Sequence, residues 1–292
     1  MSALVARGLV KRFGDVTAVD GVDLDVSERQ LYGVVGPDAA GKTTLLRMLV
    51  GLLAPDAGAL ERVGGGDPRA IGYMSQAFSL YPDLTVAENI AFFAALRGVS
   101  RRDRDARASR VLEATGLAPF TKRYAGQLSG GMKQKLGLVC TLVHEPRVLF
   151  LDEPTNGVDP VSRREFWAIL AELRERITIV VTTPSLDEAE RCDVVALMAD
   201  GRLLTVDSPA GLRAAVDVPV WEVEVDAPFL AAEALSGALP QGAVHLHGDR
   251  LHVAHPTTPE SIEVTLGAAG HAARVQRVEP TLEDAYVRLV TR

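Results

Sequence analysis

This chain predicts an α/β protein with a mostly parallel sheet, followed by a small α+β domain. Three observations carry that expectation. Residues 31–35, 148–151 and 177–181 are short apolar runs bounded by polar residues, Gly or Pro, the pattern of strands buried on both faces. Helical periods separate these runs, and strand alternating with helix calls for a parallel sheet covered on both sides. Beyond about residue 217 the order becomes β-α-β-β-α-β, which is that of a ferredoxin-like domain. The chain has 292 residues, 47% hydrophobic and 24% charged, enough for one large or two unequal domains at about 150 residues each.

The elements follow in order. A strand at 31–35 runs into Gly-rich loop chemistry and a helix at about 42–52. From about 78 to 143 the pattern changes: 86–96, 102–115 and 131–143 read as helices with no strand between them, a helical subdomain inserted into the sheet. The mixed charges of 101–110 read as a solvated helix face. A strand at 148–151, a helix at 161–174 and a strand at 177–181 return to the alternating pattern. A boundary is expected near 217–219, giving domains 1–217 and 219–292. The second piece reads as strand 220–225, helix 229–236, strands 244–247 and 250–254, helix 259–268, strand 273–278 and helix 282–290.

Composition excludes some classes. The net charge of −7 argues against a broad nucleic-acid-binding face. No run of about 18 apolar residues is present to span a bilayer. The first residues lack the apolar centre of a signal peptide, so a cytoplasmic place is expected. Cys140 and Cys192 have no metal-ligand spacing and agree with a reducing compartment.

Gly36-Pro37-Asp38-Ala39-Ala40-Gly41-Lys42-Thr43 has two glycines four residues apart, then Lys and Thr, between a strand and a helix. Such a loop aims successive backbone N–H groups at one spot, and the following helix N-terminus adds positive potential. Lys42 is placed to reach β- and γ-phosphates, Thr43 to bind Mg²⁺, and Thr44 extends the binding loop into the helix. Downstream, the apolar strand 148–151 ends in Asp152 and Glu153. The first carboxylate suits a metal and the second suits polarising an attacking water.

Leu128-Ser129-Gly130-Gly131-Met132-Lys133-Gln134 resembles the signature of ABC-type ATPases, in the position that family requires. A hydroxyl and two glycines at a helix start can donate to a phosphate, and the resemblance implies that this phosphate belongs to ATP on a partner subunit. Further residues match in order. Phe13 resembles the aromatic that stacks on adenine. Gln76 resembles the glutamine that touches Mg²⁺ and relays the nucleotide state. Asp159, in Asn156-Gly157-Val158-Asp159, resembles the acid of the loop that crosses the dimer interface and also suits a helix N-cap before Pro160. The match covers 1–209. It is nearest to exporter ATPases of the daunorubicin-resistance kind and to the first half of tandem exporter ATPases of the YbhF type. Pro280-Thr281-Leu282-Glu283-Asp284-Ala285-Tyr286 is similar to the ending of the accessory domain on such exporters.

The resemblance implies Mg²⁺-dependent ATP binding and hydrolysis that powers efflux of a drug-like or lipophilic substrate. It implies a transmembrane permease on a separate chain and a second ABC ATPase domain, in a homo- or heterodimer. It also implies a peripheral place on the inner face of the cell membrane. The docking face for the permease is expected from Phe78 through the following helices.

Two departures from the family pattern matter. Asp38 and Ala39 stand where the family usually has Asn and Gly. A positive φ at Ala39 would cost on the order of 1 kcal/mol. Pro184 stands where a switch histidine is expected after strand 177–181, and His144 is badly placed to substitute. Loss of one transition-state donor typically costs about 10²–10³ in kcat, so slow turnover is expected in this chain's own site. A regulatory partner of a second ATPase, with little turnover of its own, is the alternative. A soluble ABC protein of translation or DNA repair fits less well, because this chain has a single cassette and acidic charge.

His245, His247, His252, His255 and His271 cluster in the second piece. A turn at Gly248-Asp249 sets His245 opposite His252, with His247 on the same face. Val244, Leu246, Leu251 and Val253 form the opposite, apolar face. The histidines are therefore expected on the solvent face, with a metal site left open.

Overall fold

A computed structural model describes residues 2–62, 65, 67–77 and 80–291. It divides into two compact units, Met1–Val206 and Asp207–Arg292. The division falls before the short helix Pro209–Ala214, not at the expected 217–219. That helix packs on the C-terminal helix, and Arg288 donates to Asp217 Oδ1 at 2.9 and 2.5 Å.

The first unit is built on a six-stranded sheet of order β5-β6-β7-β3-β8-β9. These are β3 (Leu31–Val35), β5 (Ile71–Met74), β6 (Val148–Asp152), β7 (Thr178–Thr183), β8 (Val194–Ala199) and β9 (Arg202–Asp207). Strands β5, β6, β7, β3 and β8 pair in parallel. Every residue of β3, β6 and β7 is buried, as their unbroken apolar runs require. A separate antiparallel sheet joins β1 (Ser2–Phe13), β2 (Val16–Ser27) and β4 (Ala57–Arg62) in the order β2-β1-β4. Helices α1 (Lys42–Val50) and α5 (Pro160–Leu173) belong to the same unit. The core between the sheets gathers Leu9, Val22 and Leu24 with Leu45, Leu46, Leu49 and Phe150.

The helical insertion contains α2 (Val86–Leu96), α3 (Arg101–Ala114) and α4 (Gly130–Leu142), around their own core of Val86, Ile90, Leu112, Leu136 and Val139. Helix α2 starts in a capping box: Thr85 Oγ1 accepts from Glu88 N, and Glu88 accepts from Thr85 N, which satisfies two orphan donors at once. Helix α3 buries only Ala108 and Leu112, so its charged face is solvated as expected. Phe78, where the expected docking segment begins, lies outside the described residues. A short helix α6 (Leu186–Ala189) follows β7.

The second unit holds α7 (Pro209–Ala214), β10 (Val220–Val225), α8 (Pro228–Ala238), β11 (Val244–His247), β12 (Arg250–Ala254), α9 (Pro259–Ala268), β13 (Ala273–Val278) and α10 (Leu282–Val290). Its sheet order is β11-β12-β10-β13, with every pairing antiparallel. This is the ferredoxin-like arrangement. One face packs Val223, Leu251 and Val253 against α8 and α9 through Ala231, Leu235, Ile262 and Leu266.

The opposite face corrects the expectation for the histidines. His245 and His252 are cross-strand partners, as expected, but they do not face solvent. Helix α10 supplies Asp284, which lies 3.0 Å from His252 Nδ1. His252 is 2% exposed and Asp284 1%.

Candidate functional site

The phosphate loop joins β3 to α1. Gly36 is buried under β8, and a Cβ there would overlap the Met198 carbonyl oxygen. Gly41 caps α1 at φ 99°, and the first turn of α1 carries no acid. The helix N-terminus therefore keeps its positive potential for an anion. Ala39 adopts φ 63°, the left-handed conformation that alanine disfavours. Pro37, Asp38 and Ala39 are exposed, Ala40 is buried, and Thr44 is half-buried on the first turn of α1.

Lys42 is 4% exposed. Its ammonium donates to Gly36 O and Pro37 O, each at 2.9 Å, and lies 3.3 Å from Glu153 Oε1. Thr43 Oγ1 donates to Asp152 Oδ1 at 2.9 Å. Thr182 Oγ1, from the neighbouring strand β7, donates to the same oxygen at 2.8 Å. Gln76, just after β5, donates from Nε2 to Glu153 Oε2 at 2.9 Å. The parallel register aligns the carboxyl ends of β3, β5, β6 and β7, so the residues just past each strand converge. Asp152 ends β6 with Thr182 as its β7 partner. Glu153 is held by Thr182 twice, through N–H to O at 3.1 Å and to Oγ1 at 3.0 Å, at φ 47°.

The expected residues outside this cluster lie elsewhere. Phe13 ends β1 and is 51% exposed, with Lys11 Nζ 5.7 Å from its ring centroid, so an aromatic face is open to solvent. Ser129 is the N-cap of α4 and accepts from Met132 N at 3.3 Å. Ser129 and Gly130 are exposed, whereas Leu128 and Gly131 are buried. Among the described residues, no hydrogen bond or ion pair joins 128–132 to the phosphate loop. Asp159 caps α5, accepting from Val161 N at 3.1 Å and Ser162 N at 2.9 Å. The Ser162 N–H bond is the main reason its carboxyl sits below the ordinary value. Pro184 is exposed just past β7. His144 Nε2 donates to Ile71 O at 3.0 Å. Ile71 opens β5, so His144 lies at the opposite end of the sheet from Glu153.

Two residues were missed in the sequence. Thr182 donates to the Asp152 carboxylate and accepts from the backbone N–H of Glu153. Glu188, 6% exposed, accepts from Thr155 Oγ1 at 2.6 Å and from Thr183 Oγ1, with Arg163 Nε at 3.6 Å. It ties the loop after β6 to the end of β7. Hydroxyl residues closing an apolar strand, with an acid on the next helical turn, were the available signal.

A phosphate loop, a carboxylate pair at the end of β6 and a signature helix define a P-loop nucleotide-binding ATPase domain. The ABC transporter family profile matches residues 19–156. The probable multidrug ABC transporter ATP-binding protein YbhF of Escherichia coli is 42% identical, over 99% of this chain and 52% of its own length. The Nod factor export ATP-binding protein I of Burkholderia lata is 35% identical, over 98% of this chain and 96% of its own. The daunorubicin resistance ATP-binding protein DrrA3 of Streptomyces coeruleorubidus is 35% identical, over 99% and 96%. Among solved structures, cbiO1 from Clostridium perfringens, part of the ABC transporter complex cbiONQ, superposes with a TM-score of 0.67 at 26% identity. It covers 73% of this chain and 91% of its own. The chain belongs to the ABC transporter ATP-binding family. It spans about half the length of YbhF.

ABC ATPases bind ATP with Mg²⁺, and the donor set here fits that cation. Asp152 Oδ2 is buried without a hydrogen-bond partner among the described residues. It stands beside the Thr43 hydroxyl on Asp152 Oδ1. Such hard oxygen donors suit Mg²⁺.

Proposed function

We propose that this chain is an ATP-hydrolysing subunit of an exporter whose translocation path lies on a separate permease. The observation that carries the reading is the convergence of Lys42, Thr43, Gln76, Asp152 and Glu153 on one point. Lys42 exchanges its loop carbonyls for the β- and γ-phosphates, with the backbone N–H groups of residues 36–44 around them. Phe13 offers its exposed ring to adenine. Thr43, Asp152 and Gln76 would hold Mg²⁺, which would neutralise charge on the phosphates. Glu153 orients and deprotonates the attacking water, and Gln76 reports on its position through their shared hydrogen bond.

The site is completed by another ATPase domain. Ser129 and Gly130 at the α4 N-terminus donate to ATP held by the partner, and Asp159 lies at the interface. Their exposure, and their lack of any bond to this chain's own loop, support that reading. Pro184 supplies no side-chain donor to the γ-phosphate, so the chain's own site turns over slowly. No described helix is long and apolar enough to cross a membrane, and the relatives' names as ATP-binding proteins of export systems support a permease partner and a peripheral place on the inner membrane face. The helical subdomain is the proposed docking region, where the exposed Tyr81 packs edge-on against Phe92 at 4.6 Å. The export and resistance names of the relatives support a drug-like or lipophilic cargo.

A second reading, a regulatory partner with little turnover, is favoured by Pro184 and by the strained Ala39. Size-exclusion measurement of the Glu153→Gln chain with ATP tests the shared site. An ATP-dependent dimer that is lost in Ser129→Arg supports it. A chain that stays monomeric with ATP and every co-expressed ATPase partner would sink it.

A further inference from the structure

The second unit carries a polar cluster that nucleotide chemistry does not use. His245 on β11 and His252 on β12 are directly opposite, with ring centroids 5.7 Å apart. Both approach one carboxylate on α10. His252 Nδ1 is 3.0 Å from Asp284 Oδ1 and 3.2 Å from Oδ2. His245 Nε2 is 3.3 Å from the same Oδ1. The Asp284 carboxylate is fixed from behind, because Oδ2 accepts from Thr281 N and Thr281 Oγ1, each at 2.7 Å.

The cluster is not a closed hydrogen-bond network. Both ring nitrogens of His245 are buried, and neither makes a hydrogen bond. Among the described residues the one polar approach to His245 is that of Nε2 to Asp284 at 3.3 Å, and a buried imidazole left so poorly satisfied is costly and asks for a ligand. One ligand atom from each of His245, His252 and Asp284 lies within 4.8 Å of the others. Bonds of about 2.0–2.2 Å to a tetrahedral cation set ligand atoms about 3.3–3.6 Å apart, so small side-chain rotations suffice. His247 stacks on His252 with centroids 4.3 Å apart, and its Nδ1 is 2.8 Å from Glu283 Oε2. That pair braces the His252 ring from outside, as outer-shell partners of metal ligands do.

We propose that His245, His252 and Asp284 bind a divalent first-row transition cation that staples α10 to the β11–β12 hairpin. Two imidazoles and one carboxylate suit Zn²⁺, Co²⁺ or Ni²⁺ and disfavour Mg²⁺ and Ca²⁺, which take oxygen ligands. The site is separate in chemistry from the Mg²⁺ donors at Thr43 and Asp152, so it stands or falls independently of ATP hydrolysis.

The test uses the full chain, stripped by a chelator and equilibrated with Zn²⁺ in a large excess of Mg²⁺. Bound zinc is measured by elemental analysis, and its Kd by competition with a chelating dye. Co²⁺ is added in parallel to read its visible ligand-field bands. The expected result is one Zn²⁺ per chain, bound at least about 100-fold more weakly in Asp284→Asn and in His245→Ala, with the Co²⁺ bands lost. His245→Ala removes only the 3.3 Å approach to Asp284 and no hydrogen bond, so it decides the matter should Asp284→Asn fail to fold by circular dichroism. No retained zinc, or zinc retained equally in His245→Ala, overturns the site.

Discussion

Ala39 turns the phosphate loop at φ 63° with a Cβ attached. The turn that glycine normally supplies is therefore made here under strain. Ala39→Gly is expected to relieve about 1 kcal/mol of local strain, less a few tenths for the freer unfolded chain. It should tighten ATP binding without changing the fold, which calorimetry of ATP binding and a thermal melt would check. The motif residues of the phosphate loop, Asp152 and Glu153 were legible because their spacing is dictated by the phosphate and the cation. Thr182 and Glu188 were not, because their roles depend on which strand lies beside β6. His245 carries a second residue-scale prediction. Burial lowers its pKa, against the pull of Asp284 and Glu283 and with help from His252 and His247. The folded state then binds fewer protons than the unfolded state below the ordinary value of 6.5, so stability falls as pH drops beneath it. For Asp284, burial works upward, but hydrogen bonds from His252 and Thr281 outweigh it and hold the carboxyl low. Its contribution is lost only at pH below the ordinary 3.8. His247, His252, Glu283 and Asp284 are the ionisable groups that act on His245, from β11, β12 and α10. The metal-free second unit should lose urea resistance from about pH 7 to about pH 5, and His245→Gln should flatten that slope.

At the scale of elements, α4 shows how the signature depends on packing. Gly131 is buried against α5, and a Cβ there would overlap Ser162 Cβ and Oγ. Gly131→Ala is expected to cost about 1–3 kcal/mol through overpacking. Chemical denaturation would show it, and the double variant Gly131→Ala with Ser162→Gly should recover most of the loss. The buried strands and the helices of the insertion were legible because apolar runs and 3.6-residue periods survive in the sequence. β1 and β2 were harder to delimit. Their register shifts at several points, and Gly8 and Gly21 take positive φ within them, which breaks the period-2 pattern that marks a strand. The β11–β12 pairing was legible from its alternation. The alternation does not say which element covers the polar face. Helix α10 covers it through Leu282, Asp284 and Ala285.

At the scale of the molecule, the β-α-β-β-α-β order of the second unit was readable, but its start was not. The boundary was expected near 217–219, whereas α7 already belongs to the second unit and Asp217, just after it, pairs with Arg288 of α10. The central claim concerns the first unit: its carboxylate pair drives ATP hydrolysis although Pro184 stands where a donor is expected. Mg²⁺-dependent ATP turnover by the purified full chain, beside Glu153→Gln and Pro184→His, tests that claim most directly. Slow turnover is expected in the natural chain. Glu153→Gln should lower it by about 10²–10⁴, and Pro184→His should raise it by up to about 10²–10³. Turnover that survives Glu153→Gln unchanged would contradict the account.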